Sequence, residues 1–185
     1  MNIALYGGSF DPPHIGHISV VRTALEQLDI AKLIVVPAFV NPFKTGTHAP
    51  AQLRLKWLDT IFKDFDNVEV SSIEVNANRA VRTIETVEQF SPYYEKIYFI
   101  IGADNLASLH QWHQFEKLDA LVTWVIASRD GITIDDSYIQ LDTAHPVSSS
   151  ELRREIQTEH LPEAVALEIK QYYEENHART LKKDH

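Results

Sequence analysis

The chain has 185 residues, 44% of them hydrophobic and 23% charged, which suits one globular core and argues against wholesale disorder. A formal charge of −9 opposes a nucleic-acid backbone over most of the surface, and the lack of cysteine removes disulfides, thiolate zinc sites and cysteine nucleophiles. No run approaches the roughly 18 uninterrupted apolar residues of a membrane helix, and the N-terminus has no basic leader, so a cytoplasmic protein with neither membrane nor nucleic-acid partners is expected.

Taken in order, Ile3 to Tyr6 predicts a short buried strand, followed by a Gly-Gly turn and a helix whose apolar face carries Ile18, Val21, Leu25 and Leu28. Lys32 to Pro37 (KLIVVP) has the continuous apolar run of a strand buried on both faces, as in a parallel sheet covered by helices. Asn41 to Pro50 reads as a loop, and Leu58, Ile61, Phe62 and Phe65 mark a second helix. Val68 to Val75 is expected to be extended, Val81 to Phe90 helical, and Ile97 to Ile101 and Leu121 to Ala127 strands. Beyond Asp142 three serines precede a helix, a second helix spans Pro162 to Tyr173, and Asn176 to His185 reads as a fraying polar tail. The fold class is therefore α/β: a doubly wound parallel sheet flanked by helices, with C-terminal helices, as one domain over 1–175 and a tail over 176–185. Ligands in such sheets bind at the carboxyl ends of strands, which directs attention to the loops after Tyr6, Pro37 and Ile101.

The first of these loops carries GGSFDPPHIGH, Gly7 to His17. Gly7 and Gly8 let the backbone approach a ligand closely, and Ser9 can donate a hydroxyl or amide hydrogen to a phosphate oxygen. His14 and His17 are expected on one face at the positive end of the helix. Two imidazoles there can bind phosphate oxygens and oppose the charge that develops on a leaving group. Ordinary βα loops also use glycines and capping residues, but that reading leaves the whole string unexplained. The segment resembles the HxGH signature of the nucleotidyltransferase superfamily, including the preceding GGSFDP. The resemblance implies a Rossmann-like fold, His14 and His17 as catalytic residues, and Gly7, Gly8, Ser9 and Phe10 at the ATP site. Near the other end VSSSELR, Val147 to Arg153, resembles the ISSTxIR element that binds triphosphate in the same superfamily, with Val for Ile, Ser for Thr and Leu for Ile. It implies that Ser148, Ser149, Ser150 and Arg153 bind ATP phosphates. Free amides at a helix start, hydroxyls and a planar guanidinium suit that task, although a plain serine-capped helix would look alike.

The acceptor is suggested by IIGADNLASLHQW, Ile100 to Trp112, which resembles the element of nicotinate-nucleotide adenylyltransferases in which an Asp holds ribose hydroxyls and a Trp stacks on the nicotinate ring. Asp104 and Trp112 occupy those positions. A carboxylate at a strand end suits a diol, and an indole face suits a flat pyridine; the alternatives are an N-cap for Asp104 and core packing for Trp112. Asn41 to Lys44 resembles the family's Pro-His-Lys loop with Phe43 in place of His, which implies that Lys44 reaches phosphates. Ala80 to Val87 resembles the SYTIDTL segment, keeping Thr83 as an implied acceptor contact but placing Val81 and Arg82 where Ser and Tyr are usual. Arg82 either meets an acceptor anion or is solvated, the second being favoured. The resemblance extends to about Tyr173. His110 and His113 lack a third metal ligand, so no protein metal site is expected, and Mg2+ would arrive with ATP. There is neither a GxxxxGK[ST] nor a GxGxxG fingerprint. The expected reaction moves AMP from ATP to nicotinate mononucleotide, giving deamido-NAD and pyrophosphate. The alternatives are nicotinamide mononucleotide or phosphopantetheine as acceptor, or a non-catalytic ATP-binding sensor; homo-oligomerisation is left open.

Overall fold

The computed structural model describes residues 1–40, 49–128, 132–143 and 147–183, with side chains described as far as residue 177. The apolar runs read from the sequence become β1 (Asn2–Gly8), β2 (Lys32–Pro37), β4 (Lys96–Gly102) and β5 (Thr123–Ala127), joined by the short strands β3 (Val68–Val70) and β6 (Ile139–Leu141). All pair in parallel, in the order β3-β2-β1-β4-β5-β6. Because strand side chains alternate in direction, the sheet has two apolar faces. Ala4, Tyr6, Leu33, Val35 and Ile100 point to one side and pack with Val21, Trp57, Leu58 and Tyr173. Ile3, Leu5, Ile34, Phe99 and Ile101 point to the other and pack with Ile84, Leu109, Leu118 and Trp124. Each fully buried aliphatic or aromatic side chain contributes roughly 1.5–3 kcal/mol, so the two-sided sheet is the main source of stability.

The covering helices are α1 (Ile15–Gln27), α2 (Ala51–Phe62), α3 (Ile73–Asn76), α4 (Thr83–Phe90), α5 (Phe115–Leu121), α6 (Ser149–Arg154) and α7 (Ala166–Lys183), with a 3-10 helix over Ala103–Gln111. Strand order reverses at β1, which pairs with β2 on one side and β4 on the other, Gly8 facing Pro37 and Tyr6 facing Ile100. The loops leaving β1 and β4 part at this point and open a crevice at the carboxyl edge of the sheet.

Several boundaries differ from the sequence expectation, each for a local reason. Val68 to Val75 is extended only as far as Val70: the Ser71 amide still donates to Val35 O (2.8 Å), but the Ser71 hydroxyl then accepts from the Ile73 amide (3.4 Å) and turns the chain into α3. The helix expected from Val81 begins at Thr83, with Arg82 as its extended N-cap and Val81 buried just before it. Leu121 closes α5 instead of opening β5, and the Trp124 indole donates to Asp119 (2.7 Å), tying the helix to the strand. Finally, α7 continues through Asn176 to Lys183 where a fraying tail was expected. The Asn176 amide donates to Tyr172 O (2.7 Å), Gln171 to Glu175 (2.9 Å), and neither Gly nor Pro interrupts the run. Among the described residues no helix is long and apolar enough to cross a membrane.

Candidate active site

The turn after β1 is built around the ring of Phe10. That ring is buried, meets Tyr6 edge-on at 5.3 Å and His17 at 4.8 Å, and lies so close to Gly8 that a Cβ there would come within 3.0 Å of it. Phe10 itself has φ 48°, a left-handed conformation that costs a non-glycine residue roughly 1–3 kcal/mol and persists because the surrounding packing fixes it. Any larger residue at position 8 would crowd this ring, which would have to shift by a few tenths of an ångström.

His17 lies in the first turn of α1, but His14 does not share its helix face. His14 is the N-cap, with extended backbone, and its ring is buried and stacks on that of His17 at 3.7 Å with the planes 23° apart. The reason is a backbone contact: the His14 amide donates to Nδ1 of His17 (3.1 Å). With Nδ1 accepting, the neutral His17 ring carries its proton on Nε2, which makes that nitrogen a donor.

The late serine segment folds directly onto this turn. Leu152 anchors α6 in the core, Ser148 caps it by accepting from the Glu151 amide (3.2 Å), and Ser149 donates to Pro12 O (2.9 Å). Arg153 donates through Nη1 to Asp11 O (2.5 Å) and through Nη2 to the Ser150 hydroxyl (3.4 Å). Two motifs at opposite ends of the sequence therefore form one wall.

At the far side, Gly102 ends β4, and an added Cβ there would meet Asp104 Oδ1 at 2.5 Å; the missing side chain lets the carboxylate fold over the strand end. Asn105 donates to Gly102 O (3.2 Å) and secures the turn. Asp104 is exposed and sits inside the 3-10 helix, whose cap is Gly102, so it is not the N-cap that the sequence left open. Trp112 is half-buried and perpendicular to both Phe99 (6.5 Å) and Trp124 (6.0 Å), so its plane is set by core packing while neither ring stacks on it. Thr83 opens α4 beside them.

Gly7, Gly8, Ser9, Phe10, His17, Thr83, Asp104, Trp112, Ser148, Ser149, Ser150 and Arg153 line a single cavity of about 250 Å³. His14 lies behind His17 and does not line it, and Lys44, with Phe43, falls outside the described residues. Arg82 is exposed and does not line the cavity. His110 is exposed, with its ring edge-on to Phe115 at 4.6 Å, and His113 is exposed too. One end of the cavity thus offers hydroxyls, an imidazole N–H and a guanidinium, and the other a carboxylate and an indole.

Sequence reasoning missed Gly102, Glu74 and Arg54. The first two carried no distinctive signal. Arg54 carried one: it stands three, four and seven residues before Trp57, Leu58 and Ile61, within the apolar stripe of α2, and is fully buried.

Glu74 lines the cavity and accepts a hydrogen bond from the Thr86 hydroxyl (2.5 Å). Burial pushes its carboxyl up to about 7, with the Thr86 bond opposing the rise and Glu85 adding to it. The folded state therefore holds this proton after the unfolded chain has lost it. Stability is unaffected by Glu74 below the ordinary carboxyl range, falls as pH rises from there to about 7, and is lower by a constant amount above that. Glu74→Gln keeps an acceptor for Thr86 without the charge. It is expected to gain on the order of 2–3 kcal/mol over the parent at pH 8 and to lose this advantage near pH 4, as checked by urea unfolding at both pH values.

The cytidylyltransferase-like family model matches residues 5–155. A protein of Sulfurimonas denitrificans named "Probable nicotinate-nucleotide adenylyltransferase" is 49% identical over 178 residues, covering 96% of this chain and 98% of its own. A Nitratiruptor protein of the same name is 46% identical over 175 residues, covering 94% and 99%. Among solved structures, Plasmodium falciparum nicotinic acid mononucleotide adenylyltransferase complexed with NaAD matches with a TM-score of 0.75 over 94% of this chain and 97% of its own; at 21% identity the likeness is one of fold. The chain belongs to the cytidylyltransferase-like family and stands within it among the nicotinate-nucleotide adenylyltransferases.

Proposed function

We propose that the chain transfers the adenylyl group of ATP to the phosphate of nicotinate mononucleotide, giving deamido-NAD and pyrophosphate. The observation that carries this reading is the cavity itself, with a phosphate-binding set joined by the Ser149–Pro12 and Arg153–Asp11 bonds at one end and the Trp112–Asp104 pair at the other. A phosphate monoester loses its second proton near pH ~6, so the acceptor oxygen is already anionic at neutral pH and attacks the α-phosphorus in line without a protein base. As the bond to the bridging oxygen breaks, pyrophosphate takes up the negative charge. His17 Nε2–H and the Arg153 guanidinium oppose that charge, Ser148, Ser149 and Ser150 bind phosphate oxygens, and His14 holds the His17 ring in place by stacking. Gly7, Gly8 and Ser9 bring backbone close to ATP, Trp112 stacks on the pyridine ring, Asp104 accepts from ribose hydroxyls, and Thr83 borders the acceptor.

Mg2+ usually keeps several waters and is held through substrate phosphates instead of an all-protein cage. Among the described residues no group of three or more His, Asp or Glu side chains could hold a metal, and the hydroxyl-rich phosphate end fits an ion that enters on the ATP oxygens. When bound, it neutralises polyphosphate charge; Ser148, Ser149 and Ser150 would border it.

Pyrophosphate release with ATP, Mg2+ and each of nicotinate mononucleotide, nicotinamide mononucleotide and phosphopantetheine tests the reading. Nicotinate mononucleotide is expected to give a kcat/KM at least about tenfold above the others, the scale at which one well-placed polar contact discriminates. No release with any acceptor would indicate a nucleotide sensor instead. Gly102→Ala separates the acceptor end from the rest: the new methyl displaces the Asp104 carboxylate, so the acceptor KM is expected to rise about tenfold while the ATP KM stays nearly constant.

A further inference from the structure

Arg54 is a charge in a place where charges are costly. Its side chain is fully buried on the apolar face of α2, and every polar atom of its guanidinium is spent on backbone carbonyls. Nε donates to Ala49 O (3.0 Å), Nη1 to Ser9 O (2.5 Å), and Nη2 to both Ala38 O (2.8 Å) and Phe39 O (2.9 Å). These carbonyls belong to different segments: Ser9 to the turn after β1, Ala38 and Phe39 to the exit from β2, and Ala49 to the approach to α2. Ser9 and Ala38 both line the cavity, whereas Arg54 does not.

The surrounding charges support the same picture. Desolvation lowers the Arg54 guanidinium from its ordinary value, and Asp11 is the principal opposing influence, followed by Tyr173. The Asp11 carboxylate in turn accepts from the Ala49 amide (3.0 Å) and from the Tyr173 hydroxyl, so a residue of α7 closes the network. A core position of this size is ordinarily filled by Leu or Met at no desolvation cost. Here a planar fork fixes the spacing of three segments that an apolar side chain could not grip.

We infer that Arg54 is a positioning residue for ATP: its guanidinium sets the turn after β1 at a fixed distance from the exit of β2, so that Ser9 and His17 meet the nucleotide phosphates in register. This rests on the adenylyl-transfer reading. The carbonyls of Ser9, Ala38 and Phe39 follow β1 and β2, whereas Gly102, Asp104 and Trp112 lie at the end of β4 on the other side of β1, so the larger effect is expected on ATP.

The test uses the full chain with Mg2+ and a non-hydrolysable ATP analogue by calorimetry, together with both KM values. Arg54→Lys keeps a charge opposite Asp11 but has no fork, and Arg54→Met keeps the stem alone; if one fails to fold by circular dichroism, the other decides. The folded variant is expected to bind the analogue at least about tenfold more weakly and to raise the ATP KM in proportion, while the nicotinate mononucleotide KM moves by less than about twofold. Analogue affinity equal to the parent's, or equal rises in both KM values, overturns the inference while leaving the functional reading intact. A parent chain that binds no analogue overturns the functional reading, and this inference with it.

Discussion

Replacing His17 by alanine is expected to lower kcat/KM by about 10²- to 10³-fold, the range seen when one preorganised donor to a developing oxyanion is removed. The expectation follows from how the ring is held. The His14 amide donates to Nδ1, the stacked His14 ring and the edge of Phe10 fix the plane, and the ring borders the cavity. The variant loses one partly buried hydrogen bond at the start of α1, a stability cost of about 1 kcal/mol, so its melting temperature should fall by only a few degrees. Steady-state kinetics beside a thermal melt checks both parts. Activity within about threefold of the parent in a folded variant would remove His17 from the mechanism.

Arg153→Ala is expected to have a comparable effect for a different reason. The guanidinium holds the Asp11 carbonyl through Nη1 and the Ser150 hydroxyl through Nη2, so its loss removes a cation and also loosens the contact between α6 and the turn after β1. Loss of about 10²-fold in kcat/KM for ATP is expected, with the ATP KM raised and the acceptor KM little changed. Arg153→Lys should recover only part of this, because a point charge cannot serve two directions as a planar fork does. Equal activity of the lysine variant and the parent would mean that charge alone matters and that the two-sided hydrogen bonding is incidental.

How much of this was legible in the sequence depended on whether the signal was local. The buried strands were readable because a two-faced parallel strand must be apolar at every position, as in Leu33 to Val36. The segment Ile139–Leu141 was not, since an edge strand with one buried residue of three leaves almost no pattern. The turn after β1 was readable as a candidate site because its features lie among neighbours in sequence, Gly7 to His17. Its pairing with Ser148 to Arg153 followed from resemblance and not from any local rule, and the Ser149–Pro12 and Arg153–Asp11 bonds place the two segments together. The placement of His14 was misjudged because helical spacing alone does not distinguish a capping residue in extended backbone from a residue in the first turn. Arg54 was passed over because a charge on an amphipathic helix ordinarily points to water. Only its register with Trp57 and Ile61 set it apart, and its partners on three segments could not be read in one dimension.

The central claim is that the turn after β1 and the start of α6 grip the same polyphosphate. A crystal structure of the chain with nicotinate mononucleotide, Mg2+ and a non-hydrolysable ATP analogue tests this most directly. Phosphate oxygens of a single nucleotide within about 3 Å of both His17 Nε2 and a donor of Ser150 or Arg153 are the predicted result. A nucleotide whose phosphates touch only one of these segments, or lie outside the cavity, would contradict it.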